Sequence, residues 1–143
     1  MAYEITTADI WVGDVEDRVD ALPHMLETLY RAGADLDFAI VRPASDLSSD
    51  TSILFVAPLV GEEQIRAAAE IGLGKSGTLH ALRITGPDRP GLTAGITRCL
   101  ADANIRVSGL WAACIEDRSV FYLRLESAAD AKRAAQILSP HLA

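Results

Sequence analysis

Apolar positions along this chain change period several times, and each change marks an element. Ile10 to Val15 is short, apolar and β-branched, which predicts a strand. Ala21, Leu22, Met25, Leu26, Leu29 and Ala32 then recur at helical spacing, with His24, Glu27 and Arg31 off that face. Asp20 stands as N-cap candidate, Pro23 falls in the tolerated first turn, and Gly33 closes the helix. Leu36, Phe38 and Ile40 alternate with Asp35, Asp37 and Ala39, the pattern of a strand with one wet face. Pro43 to Asp50, rich in Ser and Asp, reads as a flexible loop. Ser52 to Leu59 reads as a strand and Glu62 to Ile71 as a short Ala-rich helix. Gly72 to Gly77 is a linker by composition.

The second half repeats that order. Leu79 to Thr85 predicts a strand, and Leu92, Ile96, Leu100 and Ala103 mark a helix face. Ile105, Val107, Gly109, Trp111, Ala113 and Ile115 are expected to share one face of a long strand. Glu116-Asp117-Arg118 turns the chain, and Ser119 to Leu125 runs back. Ser127 caps a last helix carrying Ala131, Ala134, Ala135 and Leu138. Each half is β-α-β-β-α, so the fold class is α+β with two ferredoxin-like modules in tandem, residues 1–74 and 75–143. Such a module usually has a fourth strand after its second helix. Neither the linker nor Ser139 to Ala143 is long enough to supply a clear one. The order therefore predicts an open edge, or one filled by a partner chain, and favours a homodimer.

The repeat extends to a loop. Gly86-Pro87-Asp88-Arg89-Pro90-Gly91-Leu92 lies between a strand and a helix pattern. About seventy residues earlier, Gly13 to Leu22 stands in the same context. Both copies keep Asp-Arg ahead of the helix; only the second keeps Pro-Gly. Two copies at this spacing are too few and too long for a solenoid.

Composition narrows the function classes. The chain has 143 residues, half of them hydrophobic, enough for a core in one domain or two small modules. No run approaches a membrane span. The N-terminus lacks a basic stretch and an apolar signal core, so a cytoplasmic location and free Cys99 and Cys114 thiols are expected. Net charge is -7, which argues against nucleic-acid binding. It is uneven: residues 1–77 carry 14 acidic and 5 basic side chains, net -9, and residues 78–143 carry 6 and 8, net +2. Opposite signs favour contact between unlike repeats, although solvated surfaces drift as readily.

The strand Leu82-Arg83-Ile84-Thr85, the Gly86 to Leu92 loop, the helix and the Ala103-Asn104-Ile105 opening of the next strand together resemble the ACT domain. The second half resembles it more closely than the first, and the two cover nearly the whole chain. The resemblance implies a tandem regulatory protein that binds an amino acid between ACT units, with no catalytic residues, no metal and no cofactor.

The physics of the loop suits that expectation. Pro90 stiffens the approach to the helix. Gly91 lets a ligand come close to the backbone. Unpaired N–H groups of the helix N-terminus favour a carboxylate. The candidate ligand-binding set is Asp88, Arg89, Pro90, Gly91, Leu92, Asn104 and Ile105. Asp14, Asp35 and Asp37 join it as partners for an ammonium. Each has a plainer reading: Asp88 as a turn cap, Arg89 in a surface ion pair, Gly91 as a turn residue, Asn104 serving its own backbone, Asp35 and Asp37 as a solvated face. In the first loop Val19 and Asp20 stand where Pro-Gly would be. Asp20 brings a Cβ and a negative charge to the docking point, so one functional loop per chain is expected, in the second repeat.

Other motifs carry less. Gly74-Lys75-Ser76 has Ala69 where a phosphate loop needs glycine, and a helix precedes it where a strand should. His24, His80 and His141 have no metal spacing. Phe121 and Tyr122 lack the basic context of an RNA-binding strand. Two alternatives to the amino-acid sensor remain. One is a ligand-free dimerisation module acting as regulatory partner of an enzyme or transcription factor. The other is a small phosphatase-like enzyme using Arg89 and Asn104, for which no nucleophile or base stands nearby.

Overall fold

In the computed structural model, which describes residues 2–44, 51–75 and 80–143, eight strands and four helices form two sheets. The described residues of 1–8 and 77–143 form one compact unit and those of 9–76 the other.

The first module begins with β2 (Trp11–Val15) and α1 (Ala21–Arg31), followed by β3 (Phe38–Pro43), β4 (Ser52–Ala57), α2 (Glu62–Glu70) and β5 (Gly74–Lys75). α1 buries Ala21, Met25 and Leu29, one residue per turn, against Trp11, Val15, Leu54 and Val56. Leu29 is only 1% exposed, a burial worth roughly 2 kcal/mol. The helix ends where Gly33 takes φ 88, letting Ala34 N–H reach Leu29 O and Gly33 N–H reach Tyr30 O. α2 ends identically at Gly72. Strand order is β3-β4-β2-β5, all antiparallel.

The second module is built from β6 (His80–Pro87), α3 (Leu92–Asp102), β7 (Val107–Ile115), β8 (Arg118–Leu125) and α4 (Ala128–His141). Leu92, Ile96 and Leu100 of α3 pack with Ala131, Ala134 and Leu138 of α4 over Leu82, Ile84, Phe121, Leu123 and Leu125. Ser127 caps α4 as expected, its Oγ accepting from Asp130 N–H at 3.0 Å. Cys99 and Cys114 are free thiols. No helix among the described residues is long and apolar enough to cross a membrane.

Both fourth strands come from within the chain, which corrects the expectation of an edge open there or filled by a partner. β5 is a two-residue strand in the glycine-rich linker, pairing Trp11 with Lys75 and Val12 with Gly74. The second module takes its fourth strand from the other end of the sequence. β1 (Glu4–Ala8) runs antiparallel to β6, with Ile5 opposite Ile84, giving the order β1-β6-β8-β7. A division at residue 74 leaves Glu4–Ala8 with the first repeat; the structure puts them in the second sheet. Neither strand shows a hydrophobic period, because β1 turns only Ile5 onto the core and β5 holds a glycine and a lysine, the lysine lying over the Trp11 ring.

The face assignment along β7 also changes. A bulge between Val107 and Gly109 inserts one residue. Ile105 and Val107 therefore pack on the helix side, while Gly109, Trp111, Ala113 and Ile115 pair with Arg124, Tyr122, Val120 and Arg118 of β8 and face the other way. The stretch Pro43 to Asp50 is described only to Ala44, and the remainder lies outside the described residues, as do Ser76, Gly77 and Leu79.

Because β1 completes the second sheet, removing residues 1–8 is expected to expose the β6 edge and destabilise that module selectively. Hydrogen exchange should show faster exchange at β6 and β8 amides with β2 and β4 unaffected. Uniform loss of protection across both modules would contradict this division.

Candidate functional site

The loop after β6 is held from three directions. Gly86 faces the ring of Tyr3, so close that a Cβ there would stand 2.7 Å from Tyr3 Cε1. Tyr3 is itself 5% exposed and donates from its hydroxyl to Pro87 O at 2.7 Å. The Arg89 guanidinium lies 5.4 Å from the centre of the same ring, a cation–π distance. On the other side, Asp88 N–H donates to Asp117 O at 2.7 Å, tying the loop to the β7–β8 turn.

Asp88 is committed within its own module. Its carboxylate accepts from Ser119 Oγ at 2.8 Å; the Cys114 thiol beside it donates to Glu116 O at 3.4 Å. Those two groups, the thiol first, lower its pKa from the ordinary carboxylate value. The Cys114 pKa is raised, chiefly by the Asp88 carboxylate beside it and then by burial.

Gly91 begins α3 in the left-handed region, φ 80 and ψ 4, and no side chain caps the helix. Nothing lies within 4 Å of the position a Cβ would take. Glycine is there for its backbone angle; Leu92 N–H donates to Arg89 O at 3.3 Å, and no side chain caps the helix start. Pro90 is exposed beside it, whereas Leu92 turns inward and is 5% exposed in the core.

Asn104 and Ile105 sit at the far end of the same helix. With 11 residues, α3 is roughly 16 Å long, so this module alone does not bring them to the Gly86–Leu92 loop. Asn104 takes φ 59, the position Gly33 holds after α1, with Asn104 N–H on Ala101 O and Ile105 N–H on Leu100 O. Ile105 is buried.

The first-repeat loop keeps the turn and changes its chemistry. Ala21 N–H reaches Arg18 O and His24 N–H reaches Asp20 O, matching Leu92 to Arg89 and Gly95 to Gly91. Asp20 at the N-cap adopts φ -92, ψ -1, and its carboxylate makes no cap bond. Arg18 instead holds Glu16 at 2.9 Å and Asp20 at 3.2 Å. A cavity of about 380 Å³ adjoins this loop, lined by Asp14, Glu16 and Glu70 with Arg18 and His24 among others. Three carboxylates there disfavour an anionic ligand. Asp35 and Asp37 lie outside that cavity, between α1 and β3. Gly74 and Lys75 of the discounted phosphate motif form β5, with Lys75 3.3 Å from Asp9.

Residues 81–139 match the family model of the ACT domain. The second module is an ACT domain. Solved structures extend the fold to the whole chain. A Bacteroides thetaiotaomicron protein superposes with a TM-score of 0.75 at 13% identity, over 92% of this chain and 88% of its own. A structure of aspartokinase alpha and beta subunits gives 0.62 at 15%, over 99% and 97%. The regulatory subunit of aspartate kinase from Thermus thermophilus gives 0.59 at 16%, over 95% of each chain. No curated protein sequence matches the chain.

Sequence reading missed Tyr3, Ser119, Cys114 and Asp117 at this loop. Tyr3 is 84 residues from its partner, and no local pattern links them. The others could have been found from strand pairing, since Gly86 stands opposite Ser119 and Pro87 opposite Arg118.

Asp88 contributes stability above the ordinary carboxylate range, and this is lost as pH falls through its lowered pKa. Asp88→Asn should therefore flatten the acid limb of the stability profile. In a Cys99→Ser background, Cys114 should react slowly with a thiol reagent near neutral pH, and Asp88→Asn should speed it by lowering the thiol pKa. An unchanged rate–pH profile would remove Asp88 from contact with the thiol.

Proposed function

We propose that this protein is a non-enzymatic regulatory module that binds a free amino acid at an interface between ACT units, and that it works as a homodimer. The observation that carries the reading is the start of α3. An ACT loop ends there in a left-handed Gly91 with nothing in the space a Cβ would take, at a helix start that no side chain caps, suited to a carboxylate. Arg89 and Pro90 are exposed beside it. The separation of Asn104 from this loop supports a shared site, because only a neighbouring unit can bring an asparagine or the ammonium-binding acids Asp14, Asp35 and Asp37 to it. The Thermus thermophilus likeness is named as a regulatory subunit of aspartate kinase, and it supports the regulatory half of the reading.

One set of observations favours the alternative, a ligand-free assembly module serving an enzyme or transcription factor. Asp88 is engaged with Ser119 beside Cys114, Leu92 and Ile105 are in the core, and Asn104 caps a helix.

Thermal melting with each common amino acid separates the two. A ligand at about a hundred times its dissociation constant adds about 2.7 kcal/mol, a shift of several degrees. The sensor reading expects a selective shift, lost in Gly91→Asp and largely kept in Gly91→Asn. Both side chains tolerate left-handed backbone and differ mainly in charge. A flat panel supports the assembly module, and undiminished binding by Gly91→Asp overturns the assignment to this loop.

A further inference from the structure

One side chain holds three parts of the loop at the candidate site. The Tyr3 ring lies against Gly86, its hydroxyl donates to Pro87 O at 2.7 Å, and its face carries the Arg89 guanidinium at 5.4 Å. Filling the core needs only the first of these. A buried tyrosine hydroxyl needs some acceptor, which accounts for the second. The third is different. Arg89 is exposed, and its guanidinium pairs with no carboxylate among the described residues. An exposed arginine gives up much rotamer freedom when it binds an anion. Resting on the ring removes part of that cost beforehand and leaves the charge unneutralised. Arg89 also belongs to the turn that starts α3, since Leu92 N–H donates to Arg89 O at 3.3 Å around the left-handed Gly91. The ring thus fixes an unpaired cation and the helix start together.

We propose that Tyr3 is a positioning residue of the amino-acid site: it holds Arg89 and the Gly91 turn ready for a ligand carboxylate, so that affinity depends on β1 being paired with β6. This rests on the reading above and adds a means of regulating the same site. β1 is lightly anchored. Of residues 3–8, only Tyr3 and Ile5 pack on the core, and the strand is outermost in its sheet. An edge strand with so few buried side chains opens at lower cost than the sheet behind it. When it opens, Tyr3 leaves and Arg89 loses its platform. Linkage makes the coupling reciprocal: a ligand that binds only the closed form holds β1 on β6 by the same factor.

Equilibrium dialysis against an equimolar mixture of the twenty common amino acids reads affinity, and hydrogen exchange with and without the mixture reads β1. The wild-type chain is expected to retain amino acids selectively, and exchange across β1 should then slow. Tyr3→Leu keeps apolar volume over Gly86 but offers no ring face. At a temperature where melting shows it folded, it should bind about tenfold or more weakly. Tyr3→Phe keeps the ring and should stay within about threefold of wild type. Arg89→Gln should match Tyr3→Leu, and the double variant should be little weaker than either, because both remove one arrangement. A folded Tyr3→Leu that binds like wild type, or losses that simply add, would leave Tyr3 as core filling and overturn the positioning role while the sensor reading stands. The exchange arm needs no variant: β1 amides that do not respond to a retained amino acid overturn the coupling. A wild-type chain that retains nothing overturns both the role and the sensor reading.

Discussion

Five residues near the start of the chain hydrogen-bond to the strand that opens the second module, with the first module threaded between them. Closing so long a loop is less costly than its length suggests, because each doubling adds only about 0.6 kcal/mol. The return is local and substantial. β6 gains a full ladder on its otherwise open side, and Ile5 packs on the core. Tyr3 is carried to the one place where it can fill the space over Gly86, hold Pro87 O and lie beneath Arg89. The loop at the candidate site thus takes its shape from a residue that belongs to neither its own strand nor its own helix.

The two modules show what that support replaces. Shifted by 71 positions, Leu29 matches Leu100, Gly33 matches Asn104, and Asp17-Arg18 matches Asp88-Arg89. Val15 then matches Gly86. In the first module the valine fills its own space and is buried. In the second the space is left to Tyr3. The same shift puts Asp20 against Gly91, which trades an ordinary backbone angle and an Arg18-held carboxylate for a left-handed residue with no side chain. Substitutions at these matched positions are enough to give one fold two chemically different loops.

Elements that bury a regular stripe were legible in the sequence. Ala21, Met25 and Leu29 on α1, and Leu92, Ile96 and Leu100 on α3, announce their helices because one face does the burying. β1 and β5 were not, since their stability resides largely in backbone pairing, which leaves no periodic trace in side chains. The bulge in β7 was hidden for a related reason: Val107, Gly109 and Trp111 alternate in sequence, and only the pairing with Leu125, Arg124 and Tyr122 reveals the extra residue. At the site, the motif located the loop, but it could not tell a residue aimed at a ligand from one aimed inward. Asp88 and Leu92 differ in this respect only through Ser119, Cys114 and the core beneath them.

The acids of the second module narrow what can happen at its surface. Asp88 is taken by Ser119 beside Cys114, Asp102 pairs with Arg98, Glu126 with Arg106, and Asp130 with Arg133. Glu116 and Asp117 form no ion pair among the described residues. They occupy the turn that receives Asp88 N–H, and they also close the end of β7. A single pair of carboxylates therefore stands next to both the loop and the free edge. A positive group arriving at either place meets the same charges. The loop, the hairpin turn and the edge strand are one electrostatic neighbourhood, joined by the hydrogen bond between Asp88 and Asp117.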